Sequence, residues 1–335
     1  MTIISLASGK KISSLPKGCS AALGFFDGVH IGHRAILTRA VSDAAERRAP
    51  SAVWMITTDG KSKGRTFLLT DENEKLRLIR ELGIDYAVIA SFEDIRNLSG
   101  EEFVRGILCG SLCVSTVVCG FNFRFGKGAA WGTDELSLMC QNVGVNQITV
   151  PAVSVNGENV SSSRIRQLIA EGDVEYAAEL LGRPYFFRLP VVNGKMLGRR
   201  LGFPTANQLP PTDLVCPPRG VYATSAELVD VDGTVKAYPG STNIGVCPTV
   251  TAEILGSTGL SQDADGAANV ERAVAETYID GFDGDIYGQI LKVSFLKRIR
   301  GEVKFPSVDA LTQQIKKDSE NARAVFESHA ERNGY

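Results

Sequence analysis

The stretch that decides the fold of the first half of this chain is Gly24-Phe25-Phe26-Asp27-Gly28-Val29-His30-Ile31-Gly32-His33. The apolar run before it, residues 21–23, is typical of a buried parallel strand, and apolar residues recur after it at helical spacing. The histidines are therefore predicted to lie in a strand-to-helix turn, where free backbone N–H groups and the helix dipole favour an anion. Such a pair of imidazoles suits a site that binds a nucleoside triphosphate and stabilises charge developing on its α-phosphate.

Two other interpretations of the histidines are less favoured. His30 and His33 could be ordinary surface-loop histidines, but two of the chain's three histidines lie in this single turn. A metal pair is the other, but no third Cys, His or carboxylate stands nearby at zinc spacing. The spacing His-x-Gly-His at His30 and His33 resembles the signature of the nucleotidyltransferase superfamily, which implies adenylyl transfer without identifying the acceptor.

Composition limits the class of protein. The chain has 335 residues, enough for two domains, and its 44% apolar and 22% charged residues are typical of a soluble globular protein. With 36 Lys and Arg against 38 Asp and Glu, general nucleic-acid binding is not favoured. No signal-peptide pattern or membrane-length apolar segment is found, so a cytoplasmic location is expected. The seven cysteines are interpreted as reduced thiols, with a Cys109–Cys113 redox pair as the less favoured alternative.

Strand and helix patterns alternate through the first half. Strands are predicted at residues 52–56, 86–89, 114–119 and 146–150. Helices are predicted to begin at the capping residues Asp71 and Ser99, at residue 135 and at residues 161–163. This repeated pattern predicts a parallel sheet with helices on both faces, in which ligands collect at the carboxyl ends of the strands.

Two later loops are predicted to reach the same edge as the histidines. Residues 120–128 combine aromatic rings, Arg124 and Lys127, and we interpret them as a ring-stacking and phosphate site rather than a loop that only covers the core. Ser161, Ser162 and Ser163 open a helix one turn before Arg166. They could simply be helix caps, but hydroxyls, free N–H groups and a guanidinium would also bind a departing pyrophosphate.

The second half has a different pattern, with short strands predicted at residues 189–192, 221–228, 235–238, 276–279 and 289–298 and a helix at 307–331. This pattern predicts a small antiparallel barrel with a terminal helix. Residues 198–207 and 243–249 are both interpreted as small polar loops between strands. Their hydroxyl and amide groups, together with the carboxylate of Glu276, are ligand types that Mg²⁺ prefers.

Two ordered sets of motifs cover the chain nearly from end to end. The first set is Gly-x-Phe-Asp-Gly-Val-His-x-Gly-His at 24–33 and Ser-Ser-Ser-x-Ile-Arg at 161–166. The second set is Gly-Arg-x-Leu-Gly-Phe-Pro-Thr-Ala-Asn at 198–207, Gly-Val-Tyr-Ala at 220–223, Asn-Ile-Gly-x-x-Pro-Thr at 243–249, Tyr-Gly at 287–288, Ile-Arg-x-Glu-x-Lys-Phe at 299–305 and Gln-Ile-x-x-Asp at 314–318. With both sets in this order, the chain resembles the bacterial bifunctional riboflavin kinase/FAD synthetase family.

The resemblance implies an α/β nucleotidyltransferase (Rossmann-like) domain over residues 1–183. A small antiparallel β-barrel riboflavin kinase domain with a C-terminal helix would follow over residues 184–335. The implied activities are phosphorylation of riboflavin to FMN and adenylylation of FMN to FAD, with ATP as co-substrate and Mg²⁺ as cofactor. The expected partners are these small molecules, with no nucleic acid and no membrane, and a homo-oligomer is left open.

The resemblance also implies roles for residues. Glu276 would be the general base for the ribityl hydroxyl, while Thr205 and Asn207 would place Mg²⁺ and the ATP phosphates. His30 and His33 would stabilise the transition state of adenylyl transfer. Further contacts are implied with ATP or its phosphates at Gly24, Phe26, Gly32, Ser162, Ser163, Arg166, Gly198 and Gly202, and with flavin at Asn122, Phe123 and Arg124.

The chain departs from the family pattern in two places. Thr57-Thr58-Asp59-Gly60-Lys61-Ser62 stands where the family carries Phe-Asp-Pro-His-Pro, and Lys61, Lys63 and Arg65 are expected to replace its phosphate contacts in part. Residues 256–268 are additional, and we expect a mobile surface loop without a catalytic part. Two alternatives stay open: a riboflavin kinase with a degenerate first domain, and a flavin-binding regulator without turnover.

Overall fold

The computed structural model describes residues 1–6, 16–57, 67–194, 198, 202–230, 232–247 and 272–333. The chain divides into two compact units, Met1–Ser162 and Ser163–Tyr335. The domain boundary predicted after residue 183 stays a prediction. The replaced family stretch at 58–62, the cations Lys61, Lys63 and Arg65, and the additional residues 256–268 lie outside the described residues.

The first unit is built on a parallel six-stranded sheet. Its strands are β1 (Thr2–Leu6), β2 (Cys19–Gly24), β3 (Ser51–Thr57), β4 (Tyr86–Ser91), β5 (Val114–Gly120) and β6 (Asn146–Val150). They lie in the order β1-β4-β3-β2-β5-β6, with every neighbouring pair parallel. The predicted α/β class is confirmed. The chain winds away from β2 in one direction through β3 and in the other through β5, so the switch point of the sheet lies between β2 and β5.

Helices connect these strands. They are α1 (Ile31–Arg47), α2 (Glu72–Glu81), α3 (Phe92–Ile95), α4 (Gly100–Glu102), which continues as a π-helix over Phe103–Ser111, and α5 (Thr133–Gln141). A short hairpin, β7 (Ser154–Val155) and β8 (Glu158–Asn159), follows the sheet. The caps behave as predicted: the Asp71 carboxylate accepts the Glu74 N–H, and Ser99 forms a reciprocal capping box with Glu102.

Apolar clusters cover both faces of the sheet. One contains Trp54, Phe103 and Leu136, and the other contains Phe26 and Leu37. The cysteines at 19, 109, 113, 119, 140 and 216 are free thiols, in agreement with the reduced state predicted for them.

The second unit contains the rest of the chain. Its elements are α6 (Ser162–Glu171), which begins at the division between the units, α7 (Val174–Leu181), β9 (Tyr185–Pro190), β10 (Thr205–Gln208), β11 (Gly220–Val229), β12 (Val235–Cys247), β13 (Arg272–Ile279), β14 (Ile290–Arg300) and α8 (Val308–Asn333). The strands form an antiparallel sheet in the order β10-β13-β12-β11-β14-β9. The predicted antiparallel architecture with a C-terminal helix is confirmed.

This sheet curls until its two edges meet. Just beyond β9, Val192 pairs with Asn207 of β10 as an isolated antiparallel bridge, and the Val192 N–H donates to the Asn207 carbonyl at 2.8 Å. We call this pair the seam of the barrel. The concave core includes Ala226, Ile279 and Val293.

The two segments predicted as polar loops are partly strands. Thr205, Ala206 and Asn207 belong to β10, and β12 extends through Asn243 to Cys247 rather than ending at residue 238. The loop interpretation was wrong there because pairing with β13, and for β12 also with β11, overrides the low strand propensity of Asn and Gly. The first strand is also displaced: β9 begins at Tyr185, before the predicted residue 189.

An ion pair fastens the terminal helix to the sheet. At the end of β14, the Arg300 guanidinium donates to both oxygens of Asp318 in α8, from Nε to Oδ1 at 3.2 Å and from Nη2 to Oδ2 at 2.7 Å. Gln314 donates to the same carboxylate at 2.9 Å, and the Asp318 side chain is only 3% exposed. The last two family motifs of the sequence therefore meet in one structural contact.

Candidate functional site

The histidine turn has an unusual backbone. Phe26 and Val29 take positive φ angles of 53° and 41°, which side-chain-bearing residues rarely adopt. The buried Asp27 carboxylate accepts the Leu69 N–H at 2.9 Å and the Thr70 N–H at 3.4 Å. The turn is therefore held from the side by the segment that leads into α2, and this support offsets the cost of its conformation.

His30 and His33 lie together at the start of α1. His30 is the N-cap, and its Nδ1 accepts the His33 N–H at 3.2 Å. The rings are stacked, with centroids 3.6 Å apart and an interplanar angle of 16°. Gly32 allows this geometry, because a Cβ there would lie only 3.2 Å from a carbon of the His30 ring. The predicted pair is thus one compact unit at the carboxyl end of β2.

The surroundings of His33 favour the neutral form of its ring. Burial lowers the pKa of His33 well below its usual 6.5, and the nearby His30 and Lys75 lower it further. At neutral pH His33 is therefore a hydrogen-bonding imidazole and not a cation. Its Nδ1 is buried and has no hydrogen-bond partner among the described residues.

Lys75 is the group that our sequence reasoning missed. It lies in the first turn of α2, only 5% exposed, with its Nζ 4.4 Å from the centroid of the Phe25 ring. Burial lowers its pKa from the usual 10.5, against the opposing effect of Asp27, Glu72 and Asp71. The sequence does carry a signal for the burial of Lys75. This residue precedes the buried Ile79 by four residues and therefore lies on the apolar face of the helix.

The other residues predicted for the first site differ in their burial and in their contacts. Phe26 is fully buried and its ring meets the edge of His33, with centroids 5.4 Å apart, so its side chain packs the turn. Phe26 also closes over Gly24, where a Cβ would lie 2.9 Å from its ring. Ser162, the last residue of the first unit, donates from Oγ to the Asp27 carbonyl of the histidine turn at 3.0 Å.

The loop after β5 lies beside the switch point. Asn122 is exposed, whereas Phe123 stacks on Phe125 with centroids 6.0 Å apart. Arg124 donates to the Ala129 carbonyl at 3.0 Å. Phe121, 46% exposed, presents a freer ring at this edge than Phe123 does. The flavin contacts assigned to residues of this loop stay predictions.

Ser163 and Arg166 belong to the second compact unit. The Arg166 guanidinium donates to the Ser163 hydroxyl at 3.4 Å, so the two predicted pyrophosphate ligands are neighbours on the first turns of α6. Their role stays a prediction.

The second candidate site is a row of polar residues across three strands. Glu276 of β13 is paired with Asn207 of β10 on one side and with Asn243 of β12 on the other. Two positions along, Thr205 is paired with Tyr278 on the same face, because strand side chains alternate. The register therefore brings together Glu276, Asn207 and Thr205, as predicted. It adds Asn243 as a neighbour of the carboxylate, which sequence spacing alone does not show.

Glycine-containing segments approach this row. Gly198 accepts the Phe203 N–H at 2.9 Å, and a Cβ on Gly198 would lie 3.4 Å from the Thr205 hydroxyl. The backbone at Gly194 lies so close to the Asn207 amide that a Cβ there would collide with it. Gly202 has a φ of 80°, and a Cβ built there would have no described neighbour within 4 Å. The predicted loop 198–202 therefore starts beside Thr205, and residues 199–201 lie outside the described residues.

A pocket of about 280 Å³ opens next to this row. Its polar lining residues are Thr205, Asn207, Asp283, Asp285 and Tyr287, while Glu276 does not line it. Among the described residues no group of three or more His, Cys, Asp or Glu is arranged to hold a metal ion. The hydroxyl, amide and carboxylate oxygens still fit Mg²⁺, which binds through few protein ligands together with water and substrate phosphates.

Paired imidazoles at the switch point of a parallel sheet, and a carboxylate between two amides on a curled antiparallel sheet, define a transferase with two nucleotide-dependent sites. The comparisons agree for both halves. A family model described as FAD synthetase matches residues 12–164, and one described as riboflavin kinase matches residues 181–326.

Relatives extend the similarity to the whole chain. Bifunctional riboflavin kinase/FMN adenylyltransferases from Pseudomonas fluorescens and Bacillus subtilis are 36% and 33% identical to it. The alignments cover 94% and 91% of this chain, and 96% and 92% of the relatives. The chain belongs to the bifunctional riboflavin kinase/FMN adenylyltransferase family.

A solved structure supports the fold. The crystal structure of a macrolide-efflux protein from Streptococcus pneumoniae superposes with a TM-score of 0.80 at 28% identity. It covers 96% of this chain and 99% of its own. Efflux is named for that protein alone. In the part of the present chain that the structure describes, no helix is long and apolar enough to cross a membrane.

Proposed function

We propose that this chain converts riboflavin to FMN in its second unit and FMN to FAD in its first, using ATP for both reactions. The observation that carries the proposal is that each compact unit has its own reactive cluster: the stacked His30–His33 pair in one, and the row around Glu276 in the other. Because both family models match, neither a degenerate first domain nor a regulator without turnover is favoured.

In the kinase reaction, the Glu276 carboxylate accepts the proton of the ribityl 5′-hydroxyl as its oxygen attacks the γ-phosphorus of ATP. The bond to the bridging oxygen breaks and ADP leaves. Thr205 and Asn207 would hold Mg²⁺, and bound Mg²⁺ supplies charge neutralisation for the phosphates. Asn207 and Asn243 flank the carboxylate in register and orient it. Gly198, which accepts the Phe203 N–H, and Gly202 contact the ATP phosphates.

In the adenylyl transfer, an oxygen of the FMN phosphate attacks the α-phosphorus of ATP, the bond to the β-phosphate breaks, and pyrophosphate leaves. Since Nδ1 of His30 is an acceptor, its Nε2 carries the proton and can donate to an α-phosphate oxygen. Neutral His33 donates in the same way, and the backbone from Gly24 to Gly32 lines the phosphates. Within the first unit, Ser162 binds the pyrophosphate, and Asn122, Phe123 and Arg124 bind the flavin; the pyrophosphate contacts of Ser163 and Arg166 stay predictions from the resemblance.

We also propose a location and a class of partners for the enzyme. We expect a cytoplasmic enzyme that works on small molecules, without a nucleic-acid or membrane partner. The balanced charge of the chain supports the absence of a nucleic-acid partner. A homo-oligomer is compatible with both sites and stays open.

Substitution of Glu276 by Gln tests the kinase assignment. The exchange preserves size and removes basicity, so riboflavin phosphorylation should fall by roughly 10²–10⁴-fold. FAD formation from supplied FMN should be unchanged, because the histidine cluster lies in the other unit. The measurement is chromatographic separation of FMN and FAD after incubation with Mg-ATP.

Glu227→Gln is the matched control, since Glu227 is a barrel carboxylate paired with Lys292 at 2.6 Å and lies away from the row. Its kinase activity should be close to that of the wild type. Near-normal phosphorylation by Glu276→Gln would contradict the general-base role.

A further inference from the structure

The position of Lys75 is set by the histidine turn itself. The Gly28 N–H donates to the Thr70 hydroxyl at 3.2 Å, and the Leu69 and Thr70 N–H groups donate to the Asp27 carboxylate. Asp71 then caps α2, so Lys75 follows within the first turn. These contacts fasten the beginning of α2 directly against the turn that carries His30 and His33.

Within the described ranges, the buried Lys75 ammonium has no counter-ion. The residue is 5% exposed, and its Nζ lies over the Phe25 ring. Among the described residues no carboxylate oxygen lies within 4 Å of that nitrogen. The facing charged groups are Asp71, Glu72 and Asp27, all at longer range, and the Asp27 carboxylate is already engaged by two backbone N–H groups.

A second unsatisfied group lies beside it. His33 Nδ1 is buried without a hydrogen-bond partner among the described residues, and the charge of Lys75 is close enough to lower the pKa of His33. A buried cation without a partner is costly, and a bound anion would remove that cost. The site lies at the switch point of the sheet and at a helix N-terminus, where phosphates bind.

We propose that Lys75 contacts a phosphate of the nucleotide that binds over the His30–His33 pair, and that it serves as a further phosphate-binding side chain of the adenylyl-transfer site. This inference rests on the proposed function of the first unit. The shared chemistry is a phosphate, supplied either by ATP or by FMN. In the bound state the phosphate replaces the missing counter-ion, and a flexible ammonium can follow the phosphate from substrate to product.

Lys75→Met and Lys75→Arg test this role. Met keeps the length of the side chain and removes the charge, so nucleotide affinity should fall by roughly 10- to 100-fold, the value of a hydrogen bond to a charged group. Arg keeps the charge and should recover part of the loss. Arg80→Met is the matched control, because Arg80 is an exposed cation on the same helix and should change nothing.

Three measurements separate the outcomes. KM values for ATP and FMN in FAD formation show which nucleotide supplies the phosphate. Tryptophan fluorescence gives the affinity for ATP in the first unit without turnover, since both tryptophans, Trp54 and Trp131, lie there. The thermal midpoint of Lys75→Met should be equal to or higher than that of the wild type, because an unpaired buried charge has been removed.

The inference is overturned if Lys75→Met binds ATP and FMN as the wild type does, or if its loss of activity accompanies a lower thermal midpoint and is not recovered by Lys75→Arg. Failure of the proposed function gives a different result, in which the wild type itself forms no FAD. In that case the fluorescence titration still decides whether Lys75 binds a nucleotide phosphate.

Discussion

The imidazole of His30 contacts the protein through Nδ1, which accepts the backbone N–H of His33 at 3.2 Å. The same ring therefore caps α1, and its other nitrogen, Nε2, is the atom that we propose to donate to the α-phosphate. A substitution can separate capping from the proposed donation by Nε2. Asn at position 30 would supply the acceptor that caps the helix, but it has no group in the position of Nε2. This makes His30 the sharpest residue-scale test of the first site.

We predict that His30→Asn keeps the stability of the chain while FAD formation from FMN falls by about 10²–10³-fold, the loss typical of one preorganised donor to a developing charge. His30→Ala should lose the same activity and also about 1 kcal/mol from the absent cap. Product chromatography and urea unfolding measure the two effects, with riboflavin phosphorylation as the control for folding. FAD formation by His30→Asn at the wild-type rate would show that Nε2 has no part in the reaction.

Residue type and spacing were sufficient to predict that His30 and His33 lie together in one strand-to-helix turn, and the resemblance pointed to Glu276; their roles stay predictions. Lys75 could not be predicted in the same way, because lysine on a helix is usually solvated and only tertiary packing buries this one. Asn243 was recognised as part of a polar segment but not as a neighbour of Glu276. That relation depends on strand register, which local sequence does not determine.

At the scale of elements, the contact between β14 and α8 shows how two distant motifs serve packing. The Arg300 guanidinium meets the Asp318 carboxylate through two hydrogen bonds, and it also lies 5.5 Å from the Phe305 ring centroid. Such a bidentate pair is directional, so it sets where the terminal helix lies on the sheet.

We predict that Asp318→Asn destabilises the second unit by about 3 kcal/mol, because a largely buried Arg300 loses its counter-ion. The measurement is the urea concentration at which riboflavin kinase activity is lost. Arg323→Gln is the matched control: Arg323 also pairs with an acidic residue, Asp280, but it is exposed, so a much smaller shift is expected. Equal shifts for the two variants would contradict a special role for the Asp318 contact.

The types of the elements were largely predictable from the sequence, with exceptions in β10, in β12 and in the π-helix. The alternation of apolar runs and caps predicted the βα units, whose cores are local and periodic. Thr205 and Asn243 lie in strands although their segments resemble turns, since β13 pairs with both strands and β11 also pairs with that of Asn243. The π-helix at Phe103–Ser111 was not predicted either, because its apolar periodicity is close to that of an α-helix.

At the scale of the whole molecule, each compact unit has its own apolar core and its own cluster of site residues. The product of one reaction is the substrate of the other, and nothing in either cluster requires that both reactions occur on the same chain.

We therefore predict that a mixture of Glu276→Gln and His30→Asn proteins converts riboflavin to FAD. Alone, the first should form neither product from riboflavin, and the second should accumulate FMN. The measurement is FAD formed over time by the mixture and by each protein alone, with wild type as reference. Accumulation of FMN without FAD in the mixture would show that FMN must pass within one chain.

The seam of the barrel has a further consequence. A single backbone pair, Val192 with Asn207, joins the sheet edges, and opening costs least where a ladder is shortest. When it opens, the Gly194 backbone no longer confines the Asn207 amide. If only molecules with a closed seam bind nucleotide, the apparent dissociation constant is the intrinsic one divided by their fraction. We therefore expect the affinity of the second unit for its nucleotide to depend on the opening of this seam as well as on the groups that contact the phosphates.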